Sequence, residues 1–69
     1  MTSSKLEQNG LKQIREKRLL SKTELARLAG VSSLTIDRIE KGNRSRLETK
    51  RKIILALGYK LAEKDEIFP

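Results

Sequence analysis

Two amphipathic helical patterns, SKTELARLAG and SSLTIDRIEKG, follow one another with only three or four residues between them. A connection that short, containing a glycine, leaves no room for an antiparallel hairpin with a generous loop and forces a sharp helix crossing. Ser21 with Glu24 three residues later forms the S-x-x-E arrangement, in which each side chain satisfies a free backbone donor of the other and opens a helix. That helix carries Leu25, Ala26, Leu28 and Ala29 and stops at Gly30, which can take the left-handed conformation that a helix end requires. Ala26, small where the next helix crosses, lets the two backbones approach. Val31 acts as an apolar plug, Ser32 caps the second helix, and that helix runs from about Ser33 to Lys41 and ends at Gly42.

The remaining chain adds only short helices. With 69 residues, one hydrophobic core is just sufficient, so a single domain is expected, with no deep catalytic cleft. MTSSKLEQNG is a polar lead-in, flexible over its first five residues. A first helix is predicted from about Leu6 to Leu19, with Leu11, Ile14 and the Leu19–Leu20 pair on its apolar side. GNRSR reads as a turn, and a fourth helix from about Leu47 to Leu57 offers Ile53, Ile54 and Leu57 to the core before Gly58. The tail YKLAEKDEIFP has room for one more short helix. Aromatic residues make up only 3 % of the chain, and the apolar ones are mainly Leu, Ile and Ala, which favours helix over sheet. The expected fold is all-α, a compact bundle of four to five short helices.

Composition removes several functional classes. Cysteine and histidine are absent, so there is no thiolate, no usual general base and none of the commonest zinc ligands. Asp65 and Glu66 lie in a charged tail without a pocket, and nothing calls for a cofactor, a metal or a small-molecule ligand. No apolar run is long enough to span a bilayer, and a cytoplasmic location follows as the default. The formal charge of +7 attracts polyanions, among which nucleic acid is the commonest. Between Arg38 and Lys52, seven cations face only two acids, whereas the tail after Tyr59 is slightly negative.

At about 100° per residue, Ile36 and Ile39 share one side of the second of these helices, and Leu34, Asp37, Arg38 and Lys41 fall on the other. The arrangement is that of a helix-turn-helix whose second helix enters the major groove of double-stranded DNA. Ser33 and Leu34 sit in its first turn, where base edges are touched. A leucine there can pack on a thymine methyl, although an ordinary surface leucine or a protein contact is the alternative. Arg38 can donate two parallel hydrogen bonds to guanine O6 and N7. Ser32, Thr35 and Lys41 are placed for phosphates. Asp37 either accepts from cytosine N4 or pairs with Lys41 at i+4, and the pairing is favoured. Glu40 lies about 40° from Ile36 on the helical wheel. It therefore borders the core and needs a partner, for which Arg15 is the candidate.

The stretch LKQIREKRLLSKTELARLAGVSSLTIDRIEKGN, with LETKRKIILALG after it, resembles the lambdoid phage repressor and Cro type of helix-turn-helix regulator. The likeness covers roughly residues 11 to 58 and rests on L-S-x-x-E-L-A, G-V-S, I-x-x-I-E-x-G and A-L-G in that order. It implies a lambda-repressor-like DNA-binding domain of bacterial or phage origin, usually a homodimer on a two-fold operator; if two copies bind, half-sites are expected about 34 Å apart or a multiple of that. By position it places Ser33, Leu34 and Arg38 at the bases, and Lys22 where relatives have a phosphate-contacting glutamine. It places Asn43, Arg44 and Arg46 along the sugar-phosphate backbone, and an Arg–Glu pair at Arg15 and Glu40. No proline follows the basic loop, and the tail differs from the phage dimer helix. Tyr59, Leu61, Ile67 and Phe68 are the candidates for a dimer contact. A protein-interaction module reusing the fold, such as an antitoxin or a coactivator-like adaptor, is the alternative function.

Overall fold

A computed structural model describes residues 9–69. The flexibility expected for residues 1–5 and the helix start expected at about Leu6 concern positions outside the described residues. Four α-helices follow in order: α1 (Leu11–Lys17), α2 (Lys22–Ala29), α3 (Ser33–Glu40) and α4 (Leu47–Ala56), then a 3-10 helix at Leu61–Glu66. No strand occurs among the described residues, and no helix there is long and apolar enough to cross a membrane.

The second helix is the hub. It packs against both α3 and α4, while α1 rests on α3 and α4 carries the 3-10 helix. Leu11, Leu25, Ile36, Ile53, Leu57 and Ile67 are fully buried, so all four α-helices and the residue that follows the 3-10 helix contribute to one core. Ala26 is buried among them, consistent with close approach of α2 and α3. Leu28, grouped in the sequence with the apolar side of α2, is exposed instead.

All four α-helices end by the same device. An amide just past each helix end reaches back five residues, giving Leu20 to Arg15, Val31 to Ala26, Asn43 to Arg38 and Tyr59 to Ile54 at 2.9–3.1 Å. This closure requires the preceding residue to have positive φ. Gly30, Gly42 and Gly58 meet the requirement without strain, but the fourth position is Leu19, at φ 58°. Helix α1 therefore ends at Lys17 rather than at Leu19. Leu19 points into solvent with 89 % of its surface exposed, and only Leu20 of the expected apolar pair packs on the core. The chain must turn within four residues to begin α2, and the tight closure wins over the side chain's preference.

The tail also departs from expectation. Ile67 and Phe68, proposed from the sequence as dimer contacts, are buried inside the monomer, with Ile67 fully so. The Gly10 amide donates to the Ile67 carbonyl at 2.8 Å, fastening the end of the chain to the start of α1. Tyr59 is half-buried under the Arg18 guanidinium, 5.2 Å from its ring centre. Of the four residues, only Leu61 is exposed.

Arg15 is the one buried charged residue among those described. Its Nε donates to Glu40 Oε2 at 2.6 Å, one terminal nitrogen donates to Oε1 at 3.1 Å, and the other to the Leu20 carbonyl at 2.8 Å. The bond to Glu40 pushes the guanidinium's pKa up still further, so the group stays charged. One side chain thus joins α1, the α1–α2 link and the end of α3. Removing one member of a buried pair strands the other's charge, which costs about 3 kcal/mol or more.

Two stability measurements follow. Arg15→Ala should lose about 3 kcal/mol in urea unfolding, and a second change, Glu40→Leu with Arg15→Met, should recover most of it; equal loss in single and double variants would contradict the assignment. Leu19→Gly should gain about 1 kcal/mol by relieving the left-handed leucine, and an unchanged urea midpoint would contradict the strain.

Candidate nucleic-acid interface

Each of the two helices of the turn begins with a side-chain cap. Ser21 Oγ accepts the Glu24 amide at 3.0 Å, and the Glu24 carboxylate accepts the Ser21 amide at 2.8 Å. The backbone bond from Ser21, then its hydroxyl, holds the Glu24 pKa below the usual range. Ser32 Oγ accepts the Thr35 amide at 3.1 Å and starts α3. The two caps and Gly30 between them delimit the turn at which α2 and α3 cross.

The core then sets the rotation of α3. Ile36 and Ile39 are buried, which turns Ser33, Leu34 and Arg38 outward, all of them exposed. Leu34 keeps 54 % of its surface accessible and is not a core residue. Asn9 donates from Nδ2 to the Ile39 carbonyl at 2.9 Å, and Arg15 grips Glu40, so the last turn of α3 is held from behind.

Beside this face runs an open cleft of about 560 Å³ between α3 and the start of α4. Thr35, Arg38, Asn43, Arg44, Ser45, Arg46 and Thr49 line it. The basic loop therefore lies next to the exposed helix, as a surface that follows a phosphate backbone must. Ser45 and Thr49 did not stand out in the sequence. A hydroxyl carries no charge, and their only signal was position among the cations of the loop and α4. Ser45 Oγ is buried and has no hydrogen-bond partner among the described residues.

Two expected phosphate contacts are modified by the geometry. Ser32 Oγ and Thr35 Oγ1 lie 2.9 Å apart and share a hydrogen bond. Since each hydroxyl has a single proton, the pair retains one for a phosphate, not two. Lys22, at the first position of α2, donates to Asp37 Oδ1 at 2.5 Å, and Lys41 donates to Oδ2 at 3.0 Å. Asp37 makes the i+4 pair favoured from the sequence, and a second pair across the turn that the sequence did not suggest.

Hydrogen bonds from Lys22, then from Lys41, lower the Asp37 pKa to about 2. A carboxyl whose folded pKa is depressed adds stability that is fully present above its unfolded value, 3.8, and is lost as pH falls toward 2. At neutral pH the Asp37 carboxylate is charged. Each ammonium keeps further donors, and the lysine side chains remain 41 % and 69 % exposed.

A family model described as helix-turn-helix matches residues 11–64, which spans all four α-helices and most of the 3-10 helix. The chain belongs to the Cro/C1-type helix-turn-helix family. Members of this family are DNA-binding domains and are generally not enzymes. No individual curated protein matched the chain.

Proposed function

We propose that this protein is a sequence-specific transcription regulator that inserts α3 into the major groove of double-stranded DNA. The observation that carries the reading is the division of α3 into two faces. Ile36 and Ile39 are committed to the core, and Ser33, Leu34 and Arg38 are presented to solvent beside a cationic cleft. Base reading falls to those three: Leu34 on a thymine methyl and Arg38 on a guanine edge. Lys22, Lys41, Asn43, Arg44, Arg46 and the remaining hydroxyl proton of Ser32 and Thr35 contact phosphates and set the register. Ser45 and Thr49 join them as neutral donors. Four of these contacts are cationic (Lys22, Lys41, Arg44 and Arg46), so log K falls against log salt with a slope of roughly −3 to −4 per protomer.

The functional unit in this reading is a homodimer on a two-fold operator. Leu61, 45 % exposed, and Leu47, 79 % exposed, edge an apolar groove of about 260 Å³ between α4 and the 3-10 helix. With Ile67 and Phe68 in the core, this groove supports the dimer contact better than the tail as a whole. Repression of transcription follows if the operator overlaps a promoter.

Selection of bound duplexes from a random pool at physiological salt tests the reading. A dyad-symmetric motif is expected, and Arg38→Ala should relax one or two positions of each half-site at a cost of about 1–3 kcal/mol in discrimination. An unselective pool, or unchanged preference in Arg38→Ala, would favour an adaptor that meets a protein through Leu34.

A further inference from the structure

Asp37 is the only acid among the outward-facing residues of α3, and it stands on a surface that otherwise attracts polyanions. A carboxylate there repels phosphates, so its presence needs a reason. Packing does not supply one, because the side chain is a quarter exposed and both its oxygens are engaged by lysines rather than by the core. The two ammoniums come from opposite sides of the turn. Lys22 opens α2 and Lys41 closes α3, and both converge on this one group at 2.5 and 3.0 Å. An anion gripped by two lysines beside a groove-reading helix occupies the part a backbone phosphate plays in a complex.

We infer that Asp37 is a specificity-determining residue, a built-in competitor of DNA phosphates for Lys22 and Lys41 that holds down binding to sequences α3 does not read. The inference rests on the DNA-binding reading above. A non-specific complex draws its stability almost wholly from phosphate contacts. With Asp37 in place, the trio of Lys22, Lys41 and Asp37 carries one net positive charge instead of two, so such a complex is weakened. A fitted complex adds base contacts from Ser33, Leu34 and Arg38, none of which uses Asp37. It also gains from lysines already held in one pose, since less side-chain freedom is lost on binding. Removing the carboxylate therefore strengthens random binding more than fitted binding.

Titration of the full chain with a random-sequence 20-base-pair duplex across a salt series tests this. Asp37→Asn should bind about tenfold more tightly than the unaltered protein at low salt, with a slope of log K against log salt steeper by about 0.9. The triple variant Lys22→Gln, Lys41→Gln and Asp37→Asn provides a second reading, because it removes the whole trio. Its slope should be shallower than that of the unaltered protein by about 0.9 rather than about 1.8, because the trio it neutralises carries one net positive charge and not two. Thermal melting followed by circular dichroism confirms that each variant is folded. Equal or weaker binding by Asp37→Asn, or a slope loss of about 1.8 in the triple variant, would overturn the inference while leaving DNA binding itself standing. Absence of salt-dependent binding in the unaltered protein and in Asp37→Asn alike would overturn both. Binding that appears only in Asp37→Asn would support the competitor role even so.

Discussion

The seating of α3 on α2 is the constraint from which the rest of the molecule follows. Three residues separate the two helices, and within them Gly30 takes the left-handed conformation while Ser32 caps what comes next. That fixes the crossing, and the burial of Ile36 and Ile39 fixes the rotation. A helix of eight residues has little stability of its own. Its position must be imposed from outside, and the structure imposes it from several directions. Ser32 holds the first turn, Arg15 and Asn9 hold the last turn from the α1 side, and Lys22 holds the exposed side through Asp37. The outward face is consequently held in the orientation in which it would meet a groove.

The ion pairs divide their work by burial. Arg15 and Glu40 are almost enclosed, so their pairing protects two charges that would otherwise be stranded, and its value is structural. Lys22, Asp37 and Lys41 sit at the surface, where an ion pair adds little to folding and is open to exchange with another anion. The same three-charge cluster is weak as a strut and consequential as a regulator of phosphate affinity. The basic loop and its cleft complete the surface, while the bond from Gly10 to Ile67 ties the end of the chain to the start of α1.

Much of this was legible in the sequence because it is encoded locally. The Ser21–Glu24 capping box, Gly30, and the spacing of Ile36 and Ile39 each act within a few residues, so their meaning survives without knowledge of the fold. What escaped is long-range or hidden by residue type. Leucine is a good helix former, and nothing in its identity announces that Leu19 closes a turn with positive φ. Ile67 and Phe68 look like a spare apolar tail until the bond from Gly10 to Ile67 brings the chain's end back to α1. The pair between Lys22 and Asp37 spans fifteen positions and exists only because of the crossing between α2 and α3. Ser45 and Thr49 become visible only when the loop folds beside α3.

The central claim is that the face of α3 opposite Ile36 and Ile39 is the part of the protein that meets DNA. Backbone amide shifts of isotopically labelled protein, followed by NMR as a short duplex is added, test it most directly. The largest changes should fall on Ser33, Leu34, Arg38 and the 41–46 loop, with Lys22 affected and the 3-10 helix quiet apart from any dimer contact at Leu61. Changes concentrated on α1 and the Leu61–Glu66 segment, with α3 undisturbed, would contradict it.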